Sequence, residues 1–456
     1  MTITGKHLLN AGLPSGPYFK EAIAYANVHS VEAAVQKFQP PRKLKLKSKG
    51  ATPLYRNIDD GTNDAERANV EAVMDTMEEL LRTPVVISGA VMPDACPAGS
   101  LGTIPVGGVV ASTAIHPGMH SADVCCSMAI TIFDQDVEPK AVLDAVHGAT
   151  HFGPGGRQSP LTGPNIGSVA RNQFLKAADP MMASHFGTQG DGNHFAFVGR
   201  LKSDGRVAIV THHGSRGPGA AIYKAGMACA EKWRQKLSPD TLKQNAWIPM
   251  DSQDGVDYWD ALQFIRYWTK NSHFAIHDAA ARAVGVDPDS FQWNNHQFWN
   301  EHNFVFERDG VFYHAKGATP AFSGWGADSG EFTLIPMNMG QPVLIVTGHD
   351  NEDSLGFAPH GAGRNYSRSQ HKRLVGDRTD EEIFVVETAG LDVRFFSGNI
   401  DVSELPSAYK DAASVRAQIA KYDLCTIVDE VLPYGCIMAG DFEKDAPWKR
   451  RKKVVA

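Results

Sequence analysis

Apolar positions recur along this chain at two periods, and the change between them falls near Pro84. Before it the period is helical. Residues 30–39 set Val31, Ala34, Val35 and Phe38 at helical spacing and are stopped by Pro40-Pro41, which predicts a short amphipathic helix. Arg42-Lys43-Leu44-Lys45-Leu46-Lys47-Ser48-Lys49 then alternates cation with leucine, the pattern of an exposed strand with one basic face or of a solvated basic arm. Residues 64–83 place Val70, Val73, Met74, Met77, Leu80 and Leu81 on one face, with Asp64 and Glu66 early and Arg82 late, and predict the clearest helix of the chain.

After Pro84 the text turns to short apolar runs separated by glycine: Val85-Val86-Ile87, Ile104-Pro105-Val106, Gly107-Gly108-Val109-Val110 and Ala129-Ile130-Thr131-Ile132-Phe133. These read as buried strands. Further strands are predicted at residues 207–210, 304–306, 311–314, 343–346 and 383–386, and helices around 218–236, 257–284, 366–374 and 411–421. Helices inserted at irregular intervals among clustered strands predict an α+β fold in place of a doubly wound sheet. No internal repeat or low-complexity linker interrupts residues 50–440. The expected organisation is an N-terminal extension over residues 1–50, one large domain with a β-rich core over 51–440, and a basic tail over 441–456.

Composition narrows the function. The 456 residues carry 44 Lys+Arg against 51 Asp+Glu, a net charge of -7, so nucleic-acid binding through global positive charge is excluded and any such contact needs a local patch. No apolar stretch approaches the ~18 residues that span a bilayer, and the opening residues lack the apolar core of a signal peptide, so a cytoplasmic protein with no membrane partner is expected. Six cysteines at irregular spacing suit thiols or metal ligands better than a disulfide framework.

Eighteen histidines are mostly without a motif, and for any one of them a surface or core role is the default. Five places stand out. In Asp123-x-x-Cys126 a carboxylate and a thiol on one turn can reach one metal, or two through a bridging sulfur. Gly187-Thr188-Gln189-Gly190-Asp191-Gly192-Asn193-His194 lets backbone approach a ligand beside a metal-type nitrogen. His212-His213-Gly214-Ser215-Arg216-Gly217 closes a strand beside an anion-friendly turn. Glu301-His302-Asn303 and His360-Gly361-Ala362-Gly363-Arg364 complete the set, the latter suited to close approach of a phosphate.

Together with Lys316-Gly317-Ala318, these motifs resemble, in order and approximate spacing, the RtcB family of RNA-splicing ligases from about Thr52 to Gly440. The resemblance implies a GTP- and manganese-dependent ligase that joins RNA 2',3'-cyclic phosphate or 3'-phosphate ends to 5'-hydroxyl ends. It implies two Mn ions bridged by Cys126, with Asp123, His194, His212 and His302 as the other ligands. His360 would be the nucleotidylated nucleophile, Arg364 a stabiliser of phosphoryl charge, and Asn193, Asn303, Lys316, Asn338, Gly361, Ala362 and Gly363 contacts to the nucleotide. The ligand types alone are compatible with Mn, Zn or Co. Two other classes fit the same residues: a dinuclear phosphohydrolase or phosphodiesterase acting through metal-bound water, and a non-catalytic RNA-binding relative. The oligomeric state and the natural RNA are left open.

Several residues are decoys or departures. Pro117-Gly118 opposes the helix that would align His116 with His120 for zinc, Cys125 reads as a small packing residue, and His213 as a support or surface group. Cys96 occupies a stretch where the family usually has His and a Lys-bearing turn. Phe197 stands where the family has a guanine-reading Glu, Met337-Asn338-Met339 where it has Gly-Ser-Met, and Ala315 and Pro320 where it has Arg. The chain runs from Cys436-Ile437-Met438-Ala439-Gly440 into Trp448-Lys449-Arg450-Arg451-Lys452-Lys453 and lacks the family's terminal Lys-Gly. The expectation is a complete metal site, an altered base pocket, and weaker discrimination for GTP over ATP than the family norm.

Overall fold

The computed structural model describes residues 2–163, 171–321 and 331–442, so the basic run at 449–453 lies outside the described residues. The fold is α+β. Its larger sheet has eight strands, in the order Thr333–Pro336, Val343–Gly348, Cys425–Met438, Phe195–Leu201, Val207–His213, Ser127–Ile132 and Gln297–Glu301, with Asp392–Phe395 paired to Cys425–Met438. That last pairing is parallel and the others antiparallel. A second sheet orders Leu54–Arg56, Val86–Cys96, Val106–Ser112, Val311–Lys316 and Asn303–Arg308. The chain passes between the two sheets at His302, the single residue separating Gln297–Glu301 from Asn303–Arg308.

Every strand around the middle of the larger sheet is buried on both faces: Ser127–Ile132 and Val207–His213 have no exposed position, which is why they read as unbroken apolar runs. One face is covered by the helix Gln253–Ala283, capped by Ser252 accepting from the Gly255 N–H. Its buried positions, including Tyr258, Leu262, Ile265, Trp268 and Ile276, repeat at helical spacing. Polar residues on the same face lock the helix to the strands. His273 bonds Thr211 Oγ1 at 2.7 Å and Ser127 Oγ at 3.0 Å, and His277 bonds Thr211 Oγ1 and Thr131 Oγ1 at 2.8 Å each. None of the described helices is long and apolar enough to cross a membrane.

The N-terminal extension holds three helices, Gly5–Asn10, Phe19–Val28 and Val31–Phe38, with a small core of their own around Leu8, Leu13, Ala22, Ala26 and Ala34. Only the third was expected. The basic segment after it forms neither strand nor helix; its backbone is pinned where Leu44 N–H donates to Leu237 O and Lys47 N–H to Arg82 O. The predicted strand at 383–386 is instead part of the helix Asp380–Glu387. Thr379 and Glu382 form a reciprocal capping box there and three acids fill the first turn, which outweighs the β-branched run. The helices Pro139–Ala149, which buries Pro139, Val142, Leu143 and Val146 at helical spacing, and Asp179–His185 and the long strand Cys425–Met438 were not anticipated.

Glu430 joins three elements: Arg416 of the helix Ala412–Lys421 donates to it at 2.9 Å, and Lys202 at the end of Phe195–Leu201 at 2.8 Å. The Arg416 guanidinium, aided by Lys202 against the cost of burial, holds the Glu430 carboxyl at about 2. A carboxyl lowered in the folded state stabilises above its unfolded value of about 4.3 and loses that contribution as pH falls toward 2. Glu430→Gln is expected to reduce stability by about 1–2 kcal/mol at pH 7 after discounting for the exposed lysine, with the gap to the parent narrowing below about pH 4. Denaturant unfolding at pH 7 and pH 3 checks this; an equal gap at both rejects it.

Candidate active site

Four segments far apart in sequence converge where the two sheets meet. Asp123 and Cys126 lie on the turn entering Ser127–Ile132, a turn that needs positive φ at Ser121 (73°) and Cys125 (58°). His194 immediately precedes Phe195–Leu201, and His212 is paired in register with both Phe195 and Met128. His302 is fixed by its N–H donating to Cys126 O at 2.9 Å, while Cys125 N–H donates to Asn303 O at 2.7 Å. The sheet register therefore places the thiol and three imidazoles in one volume.

Backbone carbonyls decide which ring nitrogens face that volume. His194 Nδ1 lies 2.7 Å from Gln189 O and His212 Nδ1 3.1 Å from Asn193 O. Each donates its Nδ1–H there, so Nε2 is the nitrogen each turns toward the site, a lone pair in the neutral ring and an N–H in the charged one. Those nitrogens converge: Cys126 Sγ is 3.4 Å from His194 Nε2 and 3.1 Å from His212 Nε2, Asp123 Oδ2 is 3.0 Å from His194 Nε2, and His302 Nε2 is 3.1 Å from His212 Nε2. The ligand atoms of Cys126, His194 and His212 all lie within 4.8 Å of one another. Burial, then His194, keep His212 well below its ordinary value, and burial, then His360, do the same for His302. Burial pushes the Asp123 carboxyl up, but His194 and Arg216 hold it well below the usual range. Burial and Asp123 push the Cys126 thiol well up, so a cation must displace its proton. Imidazole nitrogens, a carboxylate and a sulfur gathered in one volume fit a borderline divalent metal.

His360 follows the strand Phe357–Pro359, and its ring lies 4.9 Å from that of His302. Its Nδ1 is 2.6 Å from Asp94 Oδ2, with Asp94 fully buried. The Nδ1–H donates to this carboxylate and Nε2 is left free. Asp94 is held in turn by Lys410, whose ammonium donates to Pro93 O at 3.1 Å and Ala95 O at 2.7 Å, the residues on either side of it. Gly363 is required here. Its φ is 74°, and a Cβ would stand 2.1 Å from Asp94 O. Gly317, with φ 63°, is also tightly packed, its Cβ position lying 2.5 Å from Val106 Cγ1 and 3.1 Å from His360 Cε1.

Beside His360 and His212 opens a cavity of about 280 Å³, whose walls include Phe195, Phe197, Asn338, Arg364, Glu404 and Tyr409. The family described as "RtcB: tRNA-splicing ligase RtcB" matches residues 163–439, more than half of the chain. This chain belongs to the RtcB family. It is 30% identical over 274 residues to the tRNA-splicing ligase RtcB of Aeropyrum pernix, covering 52% of this chain and 56% of that protein. It is 28% identical over 287 residues to the tRNA-splicing ligase RtcB of Archaeoglobus fulgidus, covering 55% and 58%, and 29% identical over 264 residues to the RNA-splicing ligase RtcB of Escherichia coli K12, covering 56% and 61%. The chain thus spans a little over half the length of these RtcB relatives. Asp94, Asp123 and Cys126 precede the matched residues, yet the sheets bring them against the matched histidines.

The expected ligand residues Asp123, Cys126, His194, His212 and His302 come together, and His360 stands next to them. Asn193, Asn338, Gly361, Ala362 and Gly363 line the cavity. Asn303 Oδ1 accepts from Gly317 N–H at 2.8 Å, which shapes the turn beside His360, and the Lys316 ammonium reaches Ile104 O at 3.3 Å. Arg364 lines the cavity with three of its five N–H donors committed to Ser403 O, Glu404 and Tyr409, which leaves two for a ligand. His116 and His120 do not converge. The first bonds Ser112 and Asn245 O and the second Tyr258 and Ser121 O. His213 is buried and stacked on His273 at 3.5 Å. Sequence reasoning gave no role to Asp94, Glu404, Tyr409 or Lys410. No local spacing tied Asp94 to His360, and no local signal marked the segment 404–410. Cys126→Ser is expected to lose divalent metal more completely than His194→Ala or His302→Ala, because its sulfur lies between two imidazole lone pairs and a hydroxyl is a poor substitute. Elemental analysis after dialysis against Mn checks this; retention of metal in the serine variant rejects it.

Proposed function

We propose that this chain is an RNA ligase that joins an RNA 3'-phosphate, or a 2',3'-cyclic phosphate once opened by water, to an RNA 5'-hydroxyl through a nucleotidylated His360. The observation that carries the reading is the free Nε2 of His360, held by buried Asp94 beside a convergent set of metal-type donors. Asp123, Cys126, His194, His212 and His302 would hold manganese, which would supply Lewis-acid stabilisation of charge on phosphoryl oxygens.

The residues themselves account for the nucleophile. The His360 Nε2 lone pair forms a bond to the α-phosphorus of a nucleoside triphosphate, the bond to the β-phosphate oxygen breaks, and pyrophosphate leaves with the electron pair. The imidazole becomes cationic while keeping its Nδ1 proton. Asp94, with one oxygen on that proton and a second buried oxygen unpartnered, compensates the new charge. The RNA 3'-phosphate then attacks the same phosphorus, restoring neutral His360 and leaving a pyrophosphate-linked nucleotide on the RNA. Attack of the 5'-hydroxyl, whose proton passes to solvent, releases the nucleoside monophosphate and forms the phosphodiester. Arg364 and Arg368 line the cavity beside His360 and are the cations within it that an incoming phosphate would meet, with Lys316 on the strand leading to the turn against His360.

Incubation with Mn and labelled nucleoside triphosphate is expected to give an acid-labile protein adduct that His360→Ala abolishes without loss of bound metal. An adduct persisting in that variant moves the nucleophile elsewhere, and cyclic-phosphate hydrolysis without any adduct favours a phosphodiesterase. Asp94→Asn can present an amide N–H to Nδ1 and place the ring proton on Nε2, the wrong tautomer. It is expected to slow adduct formation by about 100-fold or more at unchanged metal content. A parent-like rate sinks the role given to Asp94.

A further inference from the structure

The cavity beside His360 changes character along its length. At one end are His212 and Asn193, next to the metal-type donors. The strand Phe195–Leu201 carries the wall away from them, and Phe195 and Phe197 point to one face, paired with Met438 and Cys436. Met337, Met339 and Val343 complete an apolar end. Phe197 is 2% exposed, packed in the core cluster with Cys436, Met438, Met339 and Val343.

Several polar side chains of the cavity are committed to one another. Glu404 is the carboxylate lining the cavity among the described residues, and both its oxygens are taken. Oε2 accepts from Arg364 at 2.6 Å and from Tyr409 O–H at 2.6 Å, and Oε1 accepts from Arg368 at 2.8 Å. Asn338 Oδ1 accepts from Gly340 N–H at 2.9 Å, which leaves its amide NH2 as a donor facing a cavity it lines. Among the described residues the apolar end thus offers the Asn338 amide donor and no uncommitted carboxylate.

We infer that this end takes the base of the nucleotide and admits adenine at least as well as guanine, with Phe197 and Asn338 as the specificity-determining residues. The inference rests on the adduct-forming reading of His360 given above. Guanine brings two donor groups on its pairing edge, N1–H and the N2 amino group, for which the described residues of this end offer no uncommitted carboxylate. Adenine brings one amino group, and the Asn338 amide, able to meet adenine N1 or guanine O6, leaves that difference in donors unchanged. A buried donor left unpaired weakens binding, so the extra donor counts against guanine. The Phe197 ring supplies stacking, which every base can use.

The test uses the full chain with Mn. Adduct formation is measured with α-labelled ATP and GTP, separately and in competition, and binding is measured with the α,β-methylene analogues of ATP and GTP, which cannot transfer the nucleotide. The expected result is adduct from ATP at a rate equal to or above that from GTP, with the adenine analogue bound at least as tightly. A GTP or guanine-analogue advantage of about fivefold or more, the low end of what one unpaired buried donor costs, overturns the inference. If neither nucleotide gives an adduct while the adenine analogue binds at least as well, the ligase reading fails and the base assignment stands. Binding of neither analogue overturns both. Asn338→Asp adds an acceptor at a half-buried position, and Phe197→Glu adds one in the core. The first is expected to shift the preference toward guanine by about fivefold or more even if the second does not fold, and an unchanged ratio removes the base from this end of the cavity.

Discussion

An imidazole that donates Nδ1–H to a backbone carbonyl turns Nε2 the other way, a lone pair whenever the ring is neutral, and this constraint at His194 and His212 orders everything around them. The carbonyls are those of Gln189 and Asn193, both in the glycine-rich turn before Phe195–Leu201. Because the same turn supplies His194 and both carbonyls, its backbone path fixes the direction of two ligands at once. Cys126 and Asp123 then need only approach from the neighbouring strand, which the pairing of Met128 with His212 ensures. Converging lone pairs in one volume repel one another unless a cation or proton lies between them, and the tightly tied strands hold them there nonetheless.

The ties are polar as well as apolar. His273 and His277 on the long helix reach Thr211, Ser127 and Thr131, so the strands carrying Cys126 and His212 are bolted to one rigid element by bonds that leave little play. These buried histidines are well below their ordinary values through burial and serve as neutral hydrogen-bonding groups. A high histidine count thus divides into a few residues that face the site and several that brace it.

On the other side of His360 the same logic recurs with charge. Lys410 grips the carbonyls flanking Asp94, its own N–H donates to Gly363 O, and the neighbouring Tyr409 and Glu404 form the cavity wall with Arg364. One short segment, 404–410, therefore positions the residue that orients the nucleophile and shapes the cavity beside it. An apolar end with committed polar groups follows from that arrangement, since an acid whose two oxygens are held by two arginines and a tyrosine has none left for a ligand.

The sequence by itself determined what short-range chemistry can encode. Helical periods over 30–39 and 64–83, the buried strands after Pro84, the α+β class, and the residue types of the five motifs are all local, because period and spacing act within a few residues. Where local signals competed, as at Asp380–Glu387, a capping box outweighed β-branched residues. Only the tertiary structure decided which distant residues meet. Asp94 and His360 are 266 residues apart, Cys126 and His212 86 apart, and Lys410 and Pro93 317 apart. Such contacts are fixed by strand register and by the crossing at His302, and register is a property of two paired strands that neither strand carries alone.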